Sequence, residues 1–166
     1  VIAAAVPIQT LAAPVLTERL CTVSGVQSNV GSGRGTALTT TTCIGFSPTH
    51  YKITANWPNV IGTPNAPKFA VSGKTVRKAA TFVSIFGGGS GNTLMDILNG
   101  VSGTNPDEKV WVAALLNGQK MPMNYPTQYT AAKVIQLYLD NTPTKGGSST
   151  VSNDAFFFFK EYLQGA

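Results

Sequence analysis

The segment TNPDEKVWVAALLNG at positions 104–118 carries helix-start, helix-body and helix-stop signals in one run. Thr104, Pro106 and Asp107 have the pattern of a capping box with proline at the first helical position. A helix is predicted from there through Trp111, Ala114 and Leu115, stopping at Gly118. On its N-terminal side, a short helix over Asn92–Asn99 places Leu94, Ile97 and Leu98 on one face and is stopped by Gly100. On its C-terminal side, a helix beginning at Thr130 groups Val134, Ile135, Leu137 and Tyr138. A further one begins near Ser152, after the low-complexity TKGGSST, and contains AFFFFKEYL. Residues 86–166 are therefore expected to form a cluster of about four short helices, entered through a hinge at Phe86 and the GGGSG that follows it.

Upstream the periodicity shifts towards two. CTVSGVQSNV, the turn GSGRG and TALTTTTCIGF read as a hairpin with β-branched residues in both arms. Cys21 and Cys43 fall on opposite strands near its open end, within reach of a disulfide. Closing that loop would contribute roughly 3 kcal/mol by restricting the unfolded chain. HYKITANW, KFAVSG and KTVRKAATFVSIF supply further strands, with Pro58, Pro64 and Pro67 in the connecting loop. The fold class expected is α+β: an extended arm over 1–20, a β-rich section over 21–85 with a disulfide-closed hairpin, and the helical section over 86–166. Residues 21–166 read as one compact unit.

The arm, Val1 to Thr17, carries no charge. VIAAAVPIQTLAA resembles the end of a secretory signal in composition. Pro7 and Pro14 forbid one continuous helix, so the segment is expected to be extended. An uncharged extended arm needs an apolar partner, and Val1, Ile2, Ala4, Val6 and Ile8 are the residues expected to bury.

Only 11% of the 166 residues are charged and 43% are hydrophobic, against roughly 25% charged in an average soluble protein. Thr, Ser and Asn supply the polarity. That balance excludes bulk disorder, and no run of about 18 apolar residues occurs that would make a transmembrane helix. The net charge of +5 permits anionic partners. Its densest group, Lys68, Lys74, Arg77 and Lys78, comes without any nucleic-acid-binding motif and reads as a solvated face, so no nucleic-acid partner is expected.

Catalytic signatures are absent from the pattern. His50 is the only histidine, so with two cysteines no zinc set forms, and no metal or cofactor is expected. Asp107 and Glu108 suit the positive end of a helix dipole. Ser72-Gly73-Lys74-Thr75 imitates the end of a phosphate loop, but Lys68 stands where that loop needs glycine, and a strand-turn-strand with Gly73 in the turn fits better. The GGGSG amides have the makings of an anion cradle; a flexible hinge is the reading preferred. The expectation is that the chain is not an enzyme.

Residues 93–139, with TLMDILNG, VWVAALLNG and NYPTQYTAAKVIQLY, resemble a helical module of secreted and surface proteins of bacteria, marked by an ALLN element and a later YP-T-x-x-x-VI element. The resemblance resides in Leu94, Leu98, Val112, Ala113, Ala114, Leu115, Leu116, Asn117, Tyr125, Pro126, Thr130, Val134 and Ile135. It implies a fold unit and a secreted or cell-surface location, and it carries no catalytic residues. This chain departs from it by Thr127–Tyr129 inserted before the last helix and by lacking a long glycine run between the first two elements.

Two functions follow as expectations. The first is a structural subunit of an extracellular polymer, a filament or matrix component, whose arm is donated as a strand to the next copy of the same chain. The second is a monomeric secreted module that binds glycan or cell-surface polymer on Trp57, Tyr51 and Tyr125. Phe156, Phe157, Phe158 and Phe159 bear on the first. Four consecutive helical rings point all round the axis, so they form either a core helix or a helix with one face on a neighbouring subunit.

Overall fold

The computed structural model describes residues 45–123, 125–141 and 149–164. Two 3-10 turns, His50–Lys52 and Thr54–Asn56, lead into strands β1 (Lys68–Val71) and β2 (Lys74–Arg77). Five helices follow: α1 (Phe82–Phe86), α2 (Leu94–Asn99), α3 (Pro106–Lys120), α4 (Ala131–Asn141) and α5 (Ser149–Tyr162). The fold is mostly helical, and the described strands make one two-stranded antiparallel hairpin. This corrects the α+β expectation.

Helix α3 is the centre. Every residue from Val110 to Gly118 is buried, and successive helical residues lie about 100° apart, so no side of this stretch meets solvent. Helices α2, α4 and α5 pack around it. Asn105, rather than Thr104, caps its start by accepting from the Asp107 amide at 2.9 Å, with Pro106 behind it. Gly118 does not stop it. A Cβ there would lie 2.6–2.7 Å from the backbone of residues 129–131, so the glycine lets the chain before α4 cross the helix at close range. The helix ends at Lys120, where Met121 turns left-handed at φ 50°.

The remaining helix ends follow local chemistry. Thr93 caps α2 and Gly100, at φ +68°, ends it. The Thr130 hydroxyl accepts from the Lys133 amide at the start of α4. TFVSIF, expected as strand, is α1. Its buried residues are Phe82, Ile85 and Phe86, a three-and-four spacing that puts all of them on one helical face. Thr81 caps it and Gly87 closes it. HYKITANW is likewise no strand. Asn56 donates to the His50 carbonyl and the Trp57 indole to the Tyr51 carbonyl, folding the segment back through its two turns.

The hairpin pairs Phe69 with Val76 on its buried face and Lys68 with Arg77 on its outer face. Ser72 and Gly73 at its tip both have positive φ, the geometry of a two-residue turn matched to strand twist. The expected hairpin around GSGRG and the arm Val1, Ile2, Ala4, Val6 and Ile8 lie outside the described residues. So do Cys21 and Cys43. Among the described residues there is no disulfide, and the described fold closes by side-chain packing and by the hydrogen bonds set out next.

Candidate functional site

The polar interior is built around one side chain of α3. Asn117 is fully buried. Its Oδ1 accepts from the Tyr51 hydroxyl at 2.6 Å and the Phe46 amide at 3.0 Å. Its Nδ2 donates to the Phe46 carbonyl at 2.9 Å and the Leu163 carbonyl at 3.3 Å. An amide side chain offers two acceptor positions and two donors, so this one is saturated. It ties the chain at residue 46, the first 3-10 turn and the residue just after α5 to the central helix. Gly45 lies against the Leu163 carbonyl so closely that no Cβ would fit.

Around this node the phenols are held neutral. Burial pushes Tyr51 far above its usual range. Burial, with Tyr51 and Tyr129 beside it, does the same to Tyr125. The Tyr125 hydroxyl has no hydrogen-bond partner among the described residues, and neither has His50 Nε2. The His50 ring stacks on Phe46 with centroids 3.9 Å apart and planes 8° from parallel. Burial and then the Lys120 ammonium hold its pKa below 6.5. Lys120 Nζ lies 5.2 Å from the Phe46 ring centroid and donates to the Asn56 carbonyl at 2.7 Å. The cluster thus joins donors to acceptors and a cation to rings, the chemistry of a structural clasp.

A second clasp uses Glu108. Its carboxylate accepts from the Ser90 amide at 2.9 Å and from the Ser90 hydroxyl at 2.5 Å. The GGGSG segment is therefore an anion cradle whose anion belongs to the chain itself, and it corrects the reading as a flexible hinge. Gly89, at φ +88°, is required there, because a Cβ would lie 2.6 Å from the Phe82 ring and 2.7 Å from the carboxylate.

The aromatic residues divide sharply. Tyr51, Trp57 and Tyr125, the expected glycan platforms, are buried at 0%, 4% and 6% exposure, so none presents a face for stacking. Phe158 and Phe159 are core residues set against Tyr129, with Phe159 also edge-on to Trp111. Phe156 is half-buried near Trp111, while Phe157 is 55% exposed, with Lys160 and Glu161 also outside. Ile53, between the two 3-10 turns, and Val60 and Ile61, in the loop before β1, project at 60%, 67% and 55% exposure.

Among the described residues no group of three His, Cys, Asp or Glu side chains is placed to hold a metal ion, and no helix is long and apolar enough to cross a membrane. No family model, curated protein or solved structure matches this chain.

Proposed function

We propose that the chain is a non-catalytic structural subunit of an extracellular polymer built from copies of itself. In this reading the apolar stretch with Val1, Ile2, Ala4, Val6 and Ile8 is the segment a neighbouring copy receives, and Phe157 lies in a contact between copies. The observation that carries it is the outward placement of Phe157, Ile53, Val60 and Ile61 on a fold whose core is already closed by Phe158, Phe159 and the residues of α3. Returning each half-exposed side chain to an apolar contact recovers on the order of 1 kcal/mol, a contribution that a contact between copies adds to that of the arm. The burial of Trp57, Tyr51 and Tyr125 speaks against the glycan-platform alternative.

Electron microscopy of the purified full chain, beside a variant lacking residues 1–12, tests the reading. Ordered assemblies from the full chain and a folded, non-assembling variant are expected. Assemblies that persist unchanged after the deletion would remove the arm from the account.

A further inference from the structure

The hairpin brings together two cations that are nine positions apart in sequence. The register sets Lys68 directly opposite Arg77 on the outer face, with Thr75 two pairs further along on the same face. Like charges in direct cross-strand opposition destabilise a sheet. No acidic side chain among the described residues forms an ion pair with either of them. The other two cations of the group are already engaged: Lys74 Nζ donates to the Ile85 carbonyl at 3.0 Å and Lys78 Nζ to the Asn65 carbonyl at 3.3 Å. Among the described residues, Lys68 and Arg77 are the two of this group whose side chains have neither an ion pair nor a backbone carbonyl to hold them.

A cavity of about 510 Å³ opens between this face and α1. Lys68, Arg77, Thr75, Thr81 and Ser84 line it. The Thr81 oxygen accepts from the Ser84 amide, which leaves the Thr81 hydroxyl hydrogen to give. The Ser84 hydroxyl donates to the Thr81 carbonyl. Thr75 is exposed at the rim. The lining therefore offers an ammonium, a guanidinium and two hydroxyl donors, with no carboxylate and no aromatic ring. A site of that kind suits a compact group that only accepts hydrogen bonds, and the guanidinium fork matches the paired oxygens of a phosphate or sulfate. Lys68 and Arg77 also line a smaller cavity of about 270 Å³ together with Lys78. The absence of a ring in the lining removes the stacking by which single-stranded nucleic acid is held.

We infer that the outer face of the hairpin binds a tetrahedral oxyanion, a phosphate or sulfate group, between Lys68 and Arg77. Thr75 and Thr81 donate from their hydroxyls, and the bound anion relieves the repulsion of the two cations.

Calorimetric titration of the full chain with inorganic phosphate, and with sulfate, at ionic strength held constant with sodium chloride, tests this. Saturable binding is expected, weakened about tenfold by Arg77→Gln or Lys68→Gln, the loss of one charge-assisted hydrogen bond. Lys133→Gln, on the exposed side of α4, should bind as the parent does. Thermal melts without added anion keep the variants interpretable, since Arg77→Gln removes a repulsion and should not lower the melting temperature. Methyl phosphate separates the sources of the group: binding equal to phosphate assigns an ester on a larger molecule, and failure to bind assigns the free ion. Absence of saturation with both anions, or an equal loss in Lys133→Gln, would overturn the inference.

Discussion

Replacing Asn117 with leucine keeps the volume at the centre of the fold and removes all four of its hydrogen bonds. The Tyr51 hydroxyl is fully buried and would lose its acceptor, at about 1–3 kcal/mol for a stranded buried group. The Leu163 carbonyl would lose the Nδ2 donor, at about 1 kcal/mol. The amide and carbonyl of half-buried Phe46 are partly within reach of water, so together they add about 1 kcal/mol. The expected loss is about 3–5 kcal/mol, a large share of the 5–15 kcal/mol typical of a domain. Tyr51→Phe removes only the hydroxyl and leaves Asn117 Oδ1 bonded to the Phe46 amide, so it should cost about 1 kcal/mol. Urea unfolding followed by fluorescence of Trp57 and Trp111 measures both. A loss below about 1 kcal/mol for Asn117→Leu, or one no larger than that of Tyr51→Phe, would refute the claim that this side chain ties the three segments together.

Other outcomes follow from the same packing. Phe159→Ala should cost about 3–5 kcal/mol as a fully buried ring and Phe157→Ala under about 1 kcal/mol; equal losses in denaturant unfolding would contradict the division seen in α5. Gly89→Ala combines a positive φ with contacts under 3 Å and should cost clearly more than Gly73→Ala, which has a positive φ but open space around it and a cost of about 1 kcal/mol; comparable values would argue against a packed GGGSG loop. His50 is held below its usual pKa of 6.5, so between that lowered value and 6.5 the unfolded chain binds a proton that the folded chain does not. Stability should therefore fall as pH drops through 6.5, and His50→Phe should flatten the melting-temperature profile between pH 7 and 5; an unchanged slope would assign it to other groups.

Much of the helical half is legible because its ends are local. Thr93 and Gly100 bracket α2 as the residue types require, Thr130 starts α4, and the turn at Gly73 is visible from its neighbours. What the pattern conceals is tertiary. TFVSIF has strand-like composition, yet its buried residues follow helical spacing, and the Thr81 cap decides the outcome. Gly118 is a stop signal on propensity alone, and the close crossing of the chain at residues 129–131 keeps it inside α3. Glu108 suits a helix start in sequence, while its task is to hold the Ser90 amide and hydroxyl 18 residues away. Asn117 belongs to the ALLN element, but the partners that explain it are at residues 46, 51 and 163. The four phenylalanines have no helical stripe to sort them. Tyr129 and Trp111, brought in from other elements, decide which rings are inside. The cation pair escapes notice for a similar reason, since only strand register places Lys68 against Arg77.

Self-association is the claim on which the functional account rests, and sedimentation equilibrium of the full chain from micromolar to millimolar concentration measures it directly. The account predicts an average mass that rises with concentration, with the rise suppressed by Val6→Asp and weakened by Phe157→Ser while both variants remain folded. A single monomeric species across the whole range would contradict it.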